Sequence, residues 1–227
     1  MPEPTFLPDP SQIPQDEYGE HGVVPLVNRD GDFRTAQRLA PKLNLANGFQ
    51  ISEGGLNPKR TIVLTAGAAT LTTSDGAPAT KVEYTGGGVN MWGLDYDQTS
   101  QERAEWTLFM PSNYDSGPLM ALVVWSTTTS SVGTVVWGIQ GKGYNDGDNI
   151  DTSHGTAVTV SDDNTTTENQ IHISNYCQQF TLGSSPGPDR LTQIRVYRDV
   201  ADSRDNLGAD ARLIAVKLLY GISKYGD

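Results

Sequence analysis

Cysteine is nearly absent from this sequence of 227 residues, which contains only Cys177. A single cysteine cannot form a disulfide within the chain, and it excludes a zinc site built from several thiolates. The surrounding segment, ISNYCQQFTL, has the composition of a strand, so we expect Cys177 to be a small buried apolar residue. A catalytic thiol would need a histidine partner, but His21, His154 and His172 lie in no recognisable cysteine-protease motif.

Positive charge is also scarce, since 16 Lys and Arg stand against 27 Asp and Glu, for a formal net charge of −11. Nucleic-acid binding needs clustered Lys and Arg, so we expect no nucleic-acid partner. No apolar run approaches the roughly 20 residues of a membrane span, so we expect no membrane partner either. Residues 1–22 are acidic and Pro-rich without an apolar centre, which is not the pattern of a signal or transit peptide.

Short strand-like segments fill the chain from Thr61 onward, and clusters of Gly, Ser, Thr, Asn and Asp separate them. No helical period interrupts them, and many short strands at this spacing predict an all-β antiparallel sandwich or barrel. The predicted strands cover residues 61–65, 81–85, 91–96, 103–110, 119–127, 134–142, 156–161, 169–174, 177–182, 191–200 and 211–220.

Alternation along two of these segments predicts which side chains share a face. In TVVWGIQGK, one face carries Val135, Trp137, Ile139 and Gly141. In ARLIAVKLLY, the continuously apolar face, and therefore the expected core face, carries Ile214, Val216, Leu218 and Tyr220. We also expect segments 119–127 and 134–142 to pair as a hairpin across the short TTTSSVG link.

Residues 1–57 differ from the rest and are predicted to form an extended N-terminal arm, with the β-sandwich domain at residues 58–227. Six prolines by residue 25 forbid a helix there and resist a central strand. The apolar residues spaced among them favour an arm that becomes ordered on another subunit, although a disordered tail is the alternative. A mildly basic stretch follows, with a short possible helix over residues 33–40 that Pro41 would end.

The segment GKGYNDGDNIDTSHG, residues 141–155, has the composition of a calcium loop, with three aspartates among Gly and Asn. It fits no EF-hand register. A start at Asp146 puts Ile150 at a ligand position, and a start at Asn149 puts His154 where the loop requires glycine. A calcium site of another kind stays open. We expect an exposed loop at one end of the sandwich, suited to contact with a subunit or host surface rather than to catalysis.

Acidic pairs are the nearest approach to an active site. Glu102 with Glu105, and Asp95 with Asp97, could form a glycosidase pair only across a cleft, and the sequence gives no reason to place them so. We expect Asp95 and Asp97 to be solvated. The chain has no Gly-x-Ser-x-Gly elbow of the kind that carries a serine nucleophile. Its glycine-rich TGGGVN segment lies between predicted strands, so we expect a turn or bulge there and not a phosphate-binding loop. We therefore predict that the protein is not an enzyme and has no catalytic, cofactor or metal residues.

Aromatic side chains are the remaining candidates for binding. Four tryptophans lie in predicted strands and are expected in the core: Trp92, Trp106, Trp125 and Trp137. Three tyrosines at strand or loop ends are better placed to stack on sugars: Tyr96, Tyr114 and Tyr144.

Six sequence blocks follow one another within residues 81–222. They are FMPSNYDSG, LVVWST, VVWGIQ, GTAVTV, RVYRDV and LGADARL, with an acidic loop before the fourth. In this order and combination they resemble a module found in small virion structural proteins of tailed bacteriophages. Residues 1–60 show no comparable match.

The resemblance implies an all-β, jelly-roll type β-sandwich located in a virion that is assembled in the host cytoplasm. It does not fix the part of the particle, since head decoration, tail fibre and appendage proteins all use such sandwiches. Our first hypothesis is a capsid decoration or cement protein that docks through its N-terminal arm on the major capsid protein or other virion proteins. We expect a homo-oligomer, and specifically a homotrimer. The alternative is a carbohydrate-recognising module of a tail fibre or adhesin, with a surface glycan as partner.

Overall fold

The computed structural model describes residues 43–45, 49–52, 55–56, 58–184 and 186–223. The chain divides into two units, Met1–Asn57 and Pro58–Asp227. In the first unit, an antiparallel sheet of three short strands has the order β1-β2-β3. These strands are β1 (Leu43–Leu45), β2 (Phe49–Ser52) and β3 (Gly55–Leu56). Residues 1–42 of the expected arm, with the possible helix over residues 33–40, lie outside the described residues, so the extended arm and the helix stay predictions.

Strands build the second unit, together with one 3₁₀ turn, Ala66–Ala68. No helix in the described ranges is long and apolar enough to cross a membrane. The strands are β4 (Lys59–Thr65), β5 (Thr70–Leu71), β6 (Ala79–Tyr84), β7 (Val89–Tyr96), β8 (Arg103–Phe109), β9 (Met120–Ser126), β10 (Gly133–Tyr144), β11 (Val158–Asn164), β12 (His172–Ile173), β13 (Gly183–Ser184), β14 (Leu191–Arg198) and β15 (Ala211–Gly221).

Two sheets stack to form a sandwich. Sheet I has the order β11-β10-β14-β8-β5, and β13 pairs in parallel with β10. Sheet II has the order β12-β9-β15-β7-β6, and β4 also pairs with β15. Every neighbour within these two orders is antiparallel.

The pairing of eight strands defines a jelly roll. In chain order these strands are β7, β8, β9, β10, β11, β12, β14 and β15. The first pairs with the last, the second with the seventh, the third with the sixth, and the fourth with the fifth. A long hairpin rolled up on itself gives this pattern, which places alternate pairs in opposite sheets. The predicted jelly-roll type sandwich is confirmed.

One hydrophobic core fills the space between the sheets. Its centre is aromatic: the Trp137 ring lies edge-on to Tyr96, with centroids 5.2 Å apart, and 6.2 Å from Trp125. The four residues that share one face of β10 by alternation are all buried, as is Cys177. The Cys177 sulfur accepts a hydrogen bond from the backbone N–H of Ala121, and burial raises the pKa of its thiol.

The predicted hairpin between segments 119–127 and 134–142 is wrong. β9 belongs to sheet II and β10 to sheet I, so the link between them crosses from one sheet to the other. Asn164 of β11 holds that link by donating side-chain hydrogen bonds to the carbonyls of Thr129 and Ser131. A short polar link satisfies either geometry, and alternation within a strand does not reveal its partner.

The predicted core face of β15 is right for Val216, Leu218 and Tyr220 but wrong for Ile214. The register against β9 shifts between Leu213 and Ala215, so this strand has a bulge. Leu213 is fully buried in the core, while Ile214 is half-buried. A bulge inserts one residue and thereby moves every side chain before it to the opposite face.

The predicted strand over residues 177–182 is absent as a regular element. Backbone N–H groups of Ser174, Cys177 and Phe180 donate to carbonyls of β9 and of Leu119, the residue before it, at every second position. Three residues thus advance along this segment for every two on β9, which breaks the ladder into bulges. The neighbouring strand β12 is correspondingly shorter than the predicted 169–174. β5 and β13, of two residues each, are too short for alternation to reveal.

Candidate functional site

The outer face of sheet I carries a buried polar cluster. Arg195 of β14 lies opposite Glu105 of β8 in the strand register, and its Nε donates to Glu105 Oε1 at 2.7 Å. Gln193, two residues earlier on the same face, donates from Nε2 to Glu105 Oε2 at 2.6 Å. Both carboxylate oxygens of Glu105 are therefore engaged, although the residue stands on the outward side of the sheet.

The loop of residues 145–155 places His154 against this cluster. Its side chain is only 6% exposed, and its Nε2 lies 3.8 Å from Glu105 Oε1, which is too long for a hydrogen bond. That Nε2 has no hydrogen-bond partner among the described residues. Burial, with the Arg195 guanidinium nearby, lowers the pKa of His154 to about 4, against the opposing effect of the Glu105 carboxylate.

A buried lysine holds the loop through hydrogen bonds to its backbone. Lys142, at the end of β10, donates from Nζ to the carbonyl of Ile150 at 2.8 Å and to that of Thr152 at 2.5 Å. The backbone N–H of Gly155 donates a hydrogen bond to the Gly141 carbonyl at 2.9 Å. Residues 145–153 are exposed, as predicted for this loop.

No group of three or more His, Cys, Asp or Glu side chains in the described part of the chain is arranged to hold a metal ion. One of the loop's aspartates, Asp148, accepts a hydrogen bond from the backbone N–H of Asn145. Sequence reasoning missed Lys142, Gln193 and Arg195, because isolated polar residues in a strand suggest a solvated face. Lys142 is buried, and Gln193 and Arg195 are half-buried, so none of the three is fully solvated.

His154 is expected to make the fold less stable as the pH falls. Its pKa of about 4 in the fold is below the roughly 6.5 of an unfolded chain, so the unfolded state binds the proton more readily between these values. Stability is unaffected above about pH 6.5 and is lost as the pH falls through this window, by up to about 2 kcal/mol at pH 5. Urea unfolding at pH 7.5 and pH 5 measures the loss.

The matched variant is His154→Gln, which cannot titrate in this range. It should lose less stability between the two pH values than the wild type. Carboxylates titrate in both proteins, so their contribution cancels when the loss of the variant is subtracted from the loss of the wild type. Equal losses in both proteins would show that His154 does not couple protonation to folding.

The aromatic residues divide differently from the prediction. Trp106, Trp125 and Trp137 are buried as expected. Trp92, on β7, is 52% exposed, and its ring lies over Gly67 of the 3₁₀ turn, where an added Cβ would approach it to 3.2 Å. The expectation of a core Trp92 is wrong, because its ring lies against the 3₁₀ turn and half of it is exposed.

Two of the tyrosines suggested as sugar platforms are buried. Tyr96 is fully enclosed and donates from its hydroxyl to the Val196 carbonyl, and burial raises its pKa. Tyr114 is 2% exposed and donates to the Gly117 carbonyl, and burial raises its pKa to about 12. The suggestion is therefore wrong for both. Tyr144 is half-buried beside Lys142, whose ammonium lies 5.0 Å from its ring centre.

The acidic pairs have structural partners. Asp95 forms a two-bond ion pair with Arg212, at 2.6 and 3.0 Å, so its expected solvation is wrong. Asp97 accepts hydrogen bonds from the Thr99 hydroxyl and from the backbone N–H groups of Thr99 and Ser100, and these bonds lower the pKa of Asp97. Glu102 accepts the Asp97 N–H, while burial raises the pKa of Glu102.

An arginine of the block RVYRDV forms the most deeply buried ion pair described, with an aspartate of the following loop. Arg198 and Asp205 have side chains 0% and 2% exposed, with Nη2 and Oδ1 2.8 Å apart. The guanidinium also donates to the carbonyls of Leu207 and Ala209, at 2.7 and 2.8 Å. The loop between β14 and β15 is thus built around one cation. Nothing in the sequence pattern marked Arg198 as buried.

No protein-family model matches the chain, and no curated protein matches it. Solved structures give distant likenesses. The CBM36-1 domain of a multidomain xylanase from the hindgut metagenome of Trinervitermes trinervoides is 11% identical, with a TM-score of 0.38 over 74% of this chain and 100% of that one. The family 11 carbohydrate-binding module from Clostridium thermocellum is 10% identical, with a TM-score of 0.36 over 78% and 93%.

The infectious bursal disease virus Gx strain structure is 12% identical, with a TM-score of 0.33 over 82% of this chain and 38% of that one. Likenesses of this size carry no argument about function. The jelly-roll assignment rests on the strand pairing itself.

Proposed function

We propose that this chain is a virion structural protein of a tailed phage, a capsid decoration or cement protein that docks through residues 1–57. The supporting observation is where the phage-like blocks fall in the fold. They form the Trp137 strand at the core, the turn around Tyr114, and the loop around Arg198. The residues behind the resemblance therefore serve the rigidity of the sandwich, which suits a module that stabilises a particle.

Physical cost favours docking through the N-terminal residues. A Pro-rich segment is already extended, so ordering it on a partner loses less conformational entropy than ordering a flexible chain. The partner is the major capsid protein or another virion protein, and the expected assembly is a homotrimer. Absence of enzyme activity remains a prediction.

Deletion of residues 1–57 should abolish particle binding while leaving the sandwich folded. The second unit contains its own core, so the truncated protein should keep a cooperative unfolding transition. Co-sedimentation with particles that lack this protein measures binding, and circular dichroism with urea unfolding confirms folding. A folded truncated chain that binds as well as the full chain would refute docking through these residues.

Carbohydrate recognition is the second candidate, and the exposed ring of Trp92 favours it. Half-exposed tryptophan offers an apolar surface for stacking on a sugar, with the polar Lys81 opposite it in the β6–β7 register. A glycan array should then show binding by the wild type that Trp92→Ala loses. No binding at high protein concentration would reject this candidate.

A further inference from the structure

The outer face of sheet II is unusually apolar. Three rows of side chains cross it in register: Ile173–Val124–Ala215–Thr65, then Leu122–Lys217–Val63, then Met120–Leu219–Thr61. We call these ten residues the apolar face. Val63 and Ile173 are 59% and 62% exposed. The alternate residues of β9 and β15, such as Val123 and Val216, point into the core, which fixes the apolar face as outward.

Sheet I supplies an internal comparison, because its outer face carries more polar side chains. There the outward positions of the three central strands include Glu105, Thr107, Gln140, Gln193 and Arg195. An antiparallel sheet with one solvated face normally shows this polar pattern. A contiguous outward apolar surface marks a site of interaction, so the apolar face requires a cover.

Two lysines on or beside the apolar face indicate the charge of the segment that would cover it. Lys217 lies at the middle of the apolar face, and Lys59 lies at its edge with Nζ 4.0 Å from the Met120 sulfur. Within the described part of the chain, neither lysine forms an ion pair. The complementary ligand is therefore extended, apolar and acidic.

Residues 1–28 of this same sequence have these properties. They contain five acidic residues and no Lys or Arg. The acidic residues are Glu3, Asp9, Asp16, Glu17 and Glu20, and the apolar residues among them include Phe6, Leu7, Ile13, Tyr18, Val23 and Val24. Proline has no N–H to add to a strand ladder, so such a segment suits binding through side chains on a face rather than pairing along an edge.

Length is also sufficient. An extended chain spans at most about 3.3 to 3.6 Å per residue. The apolar face is four strands wide, and neighbouring strands lie about 4.8 Å apart. Fewer than ten extended residues would cross it.

We propose that the apolar face of sheet II binds residues 1–28 of a second copy of this chain, so that protomers are joined by exchanged arms. The choice of a second copy rests on the homo-oligomer of the proposed function. The binding surface itself rests on the apolar rows and their two lysines. Each protomer would give one arm and receive one, which closes a ring when the rotation between copies permits.

Sedimentation equilibrium of the full-length chain tests this without any particle. Val63→Asp combined with Ile173→Asp should weaken self-association at least tenfold. Both side chains are exposed enough to be replaced without unfolding the core. Phe109→Asp is the matched control, since Phe109 is 69% exposed on sheet I and should leave self-association unchanged. Phe6→Ala with Leu7→Ala should weaken it as the face variants do.

Charge exchange gives the most specific readout. Lys217→Glu should weaken self-association, and adding Asp16→Lys with Glu17→Lys should restore it. The proposal is overturned if the wild type is monomeric or if the face variants associate as strongly as the wild type. It is also overturned if the arm variants associate as strongly as the wild type while the face variants do not. The last result would indicate direct packing of two sheet II faces. An oligomer that fails to bind particles would refute the proposed function alone, and a monomer that binds them would refute this proposal alone.

Discussion

Replacing Asp205 by alanine is expected to lower the free energy of unfolding of the sandwich by about 3 to 5 kcal/mol. The variant would leave the Arg198 guanidinium buried with no countercharge, because both side chains are almost wholly enclosed. It would also remove the acceptor of the Val136 N–H, at 2.9 Å. Since a domain of this kind has a total stability of about 5 to 15 kcal/mol, the loss is large. Urea unfolding followed by circular dichroism measures it.

The neighbouring pair provides the control. Arg204 and Asp202 lie in the same loop with Nη2 and Oδ2 2.7 Å apart, but the arginine side chain is 55% exposed. Water replaces the lost partner at an exposed site, so Arg204→Ala should change stability little. If Asp205→Ala and Arg204→Ala cost the same, burial is not what makes the Arg198 pair important.

Trp137→Ala is expected to cost about 3 to 5 kcal/mol, whereas Trp137→Phe should cost about 1.5 kcal/mol or less. Trp137 is fully buried between the rings of Tyr96 and Trp125, so alanine leaves a large cavity. Its indole N–H has no hydrogen-bond partner among the described residues. Phenylalanine loses part of the apolar volume, which destabilises the fold, but it also removes that unsatisfied donor, which stabilises it, so the two effects oppose each other.

The comparison variant is Trp92→Ala, at the half-exposed position on β7. Its loss of stability should be clearly smaller than that of Trp137→Ala, because little cavity forms where water already reaches the ring. Far-UV circular dichroism is the appropriate probe, since tryptophan fluorescence changes with the substitution itself. Equal costs for phenylalanine and alanine at Trp137 would contradict the explanation from the unsatisfied N–H.

The candidate site could be predicted only in part. The loop at residues 141–155 stands out by composition, and its exposure followed from that composition. Its chemistry did not, since the carboxylate that His154 approaches belongs to Glu105 and is held by Arg195, 90 positions away from it. No local period links residues so distant in sequence. The apolar face of sheet II escaped notice for a similar reason, because its rows are completed by four different strands.

The sequence by itself determined the all-β class, the burial of Trp137 and Cys177, and the exposure of the acidic loop. These properties are local: alternation fixes the two faces of a strand, and Gly, Asn and Asp fix where it stops. Tertiary structure alone decided that β9 and β10 lie in opposite sheets, that a bulge brings Leu213 into the core, and that Arg198 is buried beside Asp205. A strand's pattern says which side is apolar, but its partner is chosen by the hydrogen-bond ladder and packing of the whole sandwich.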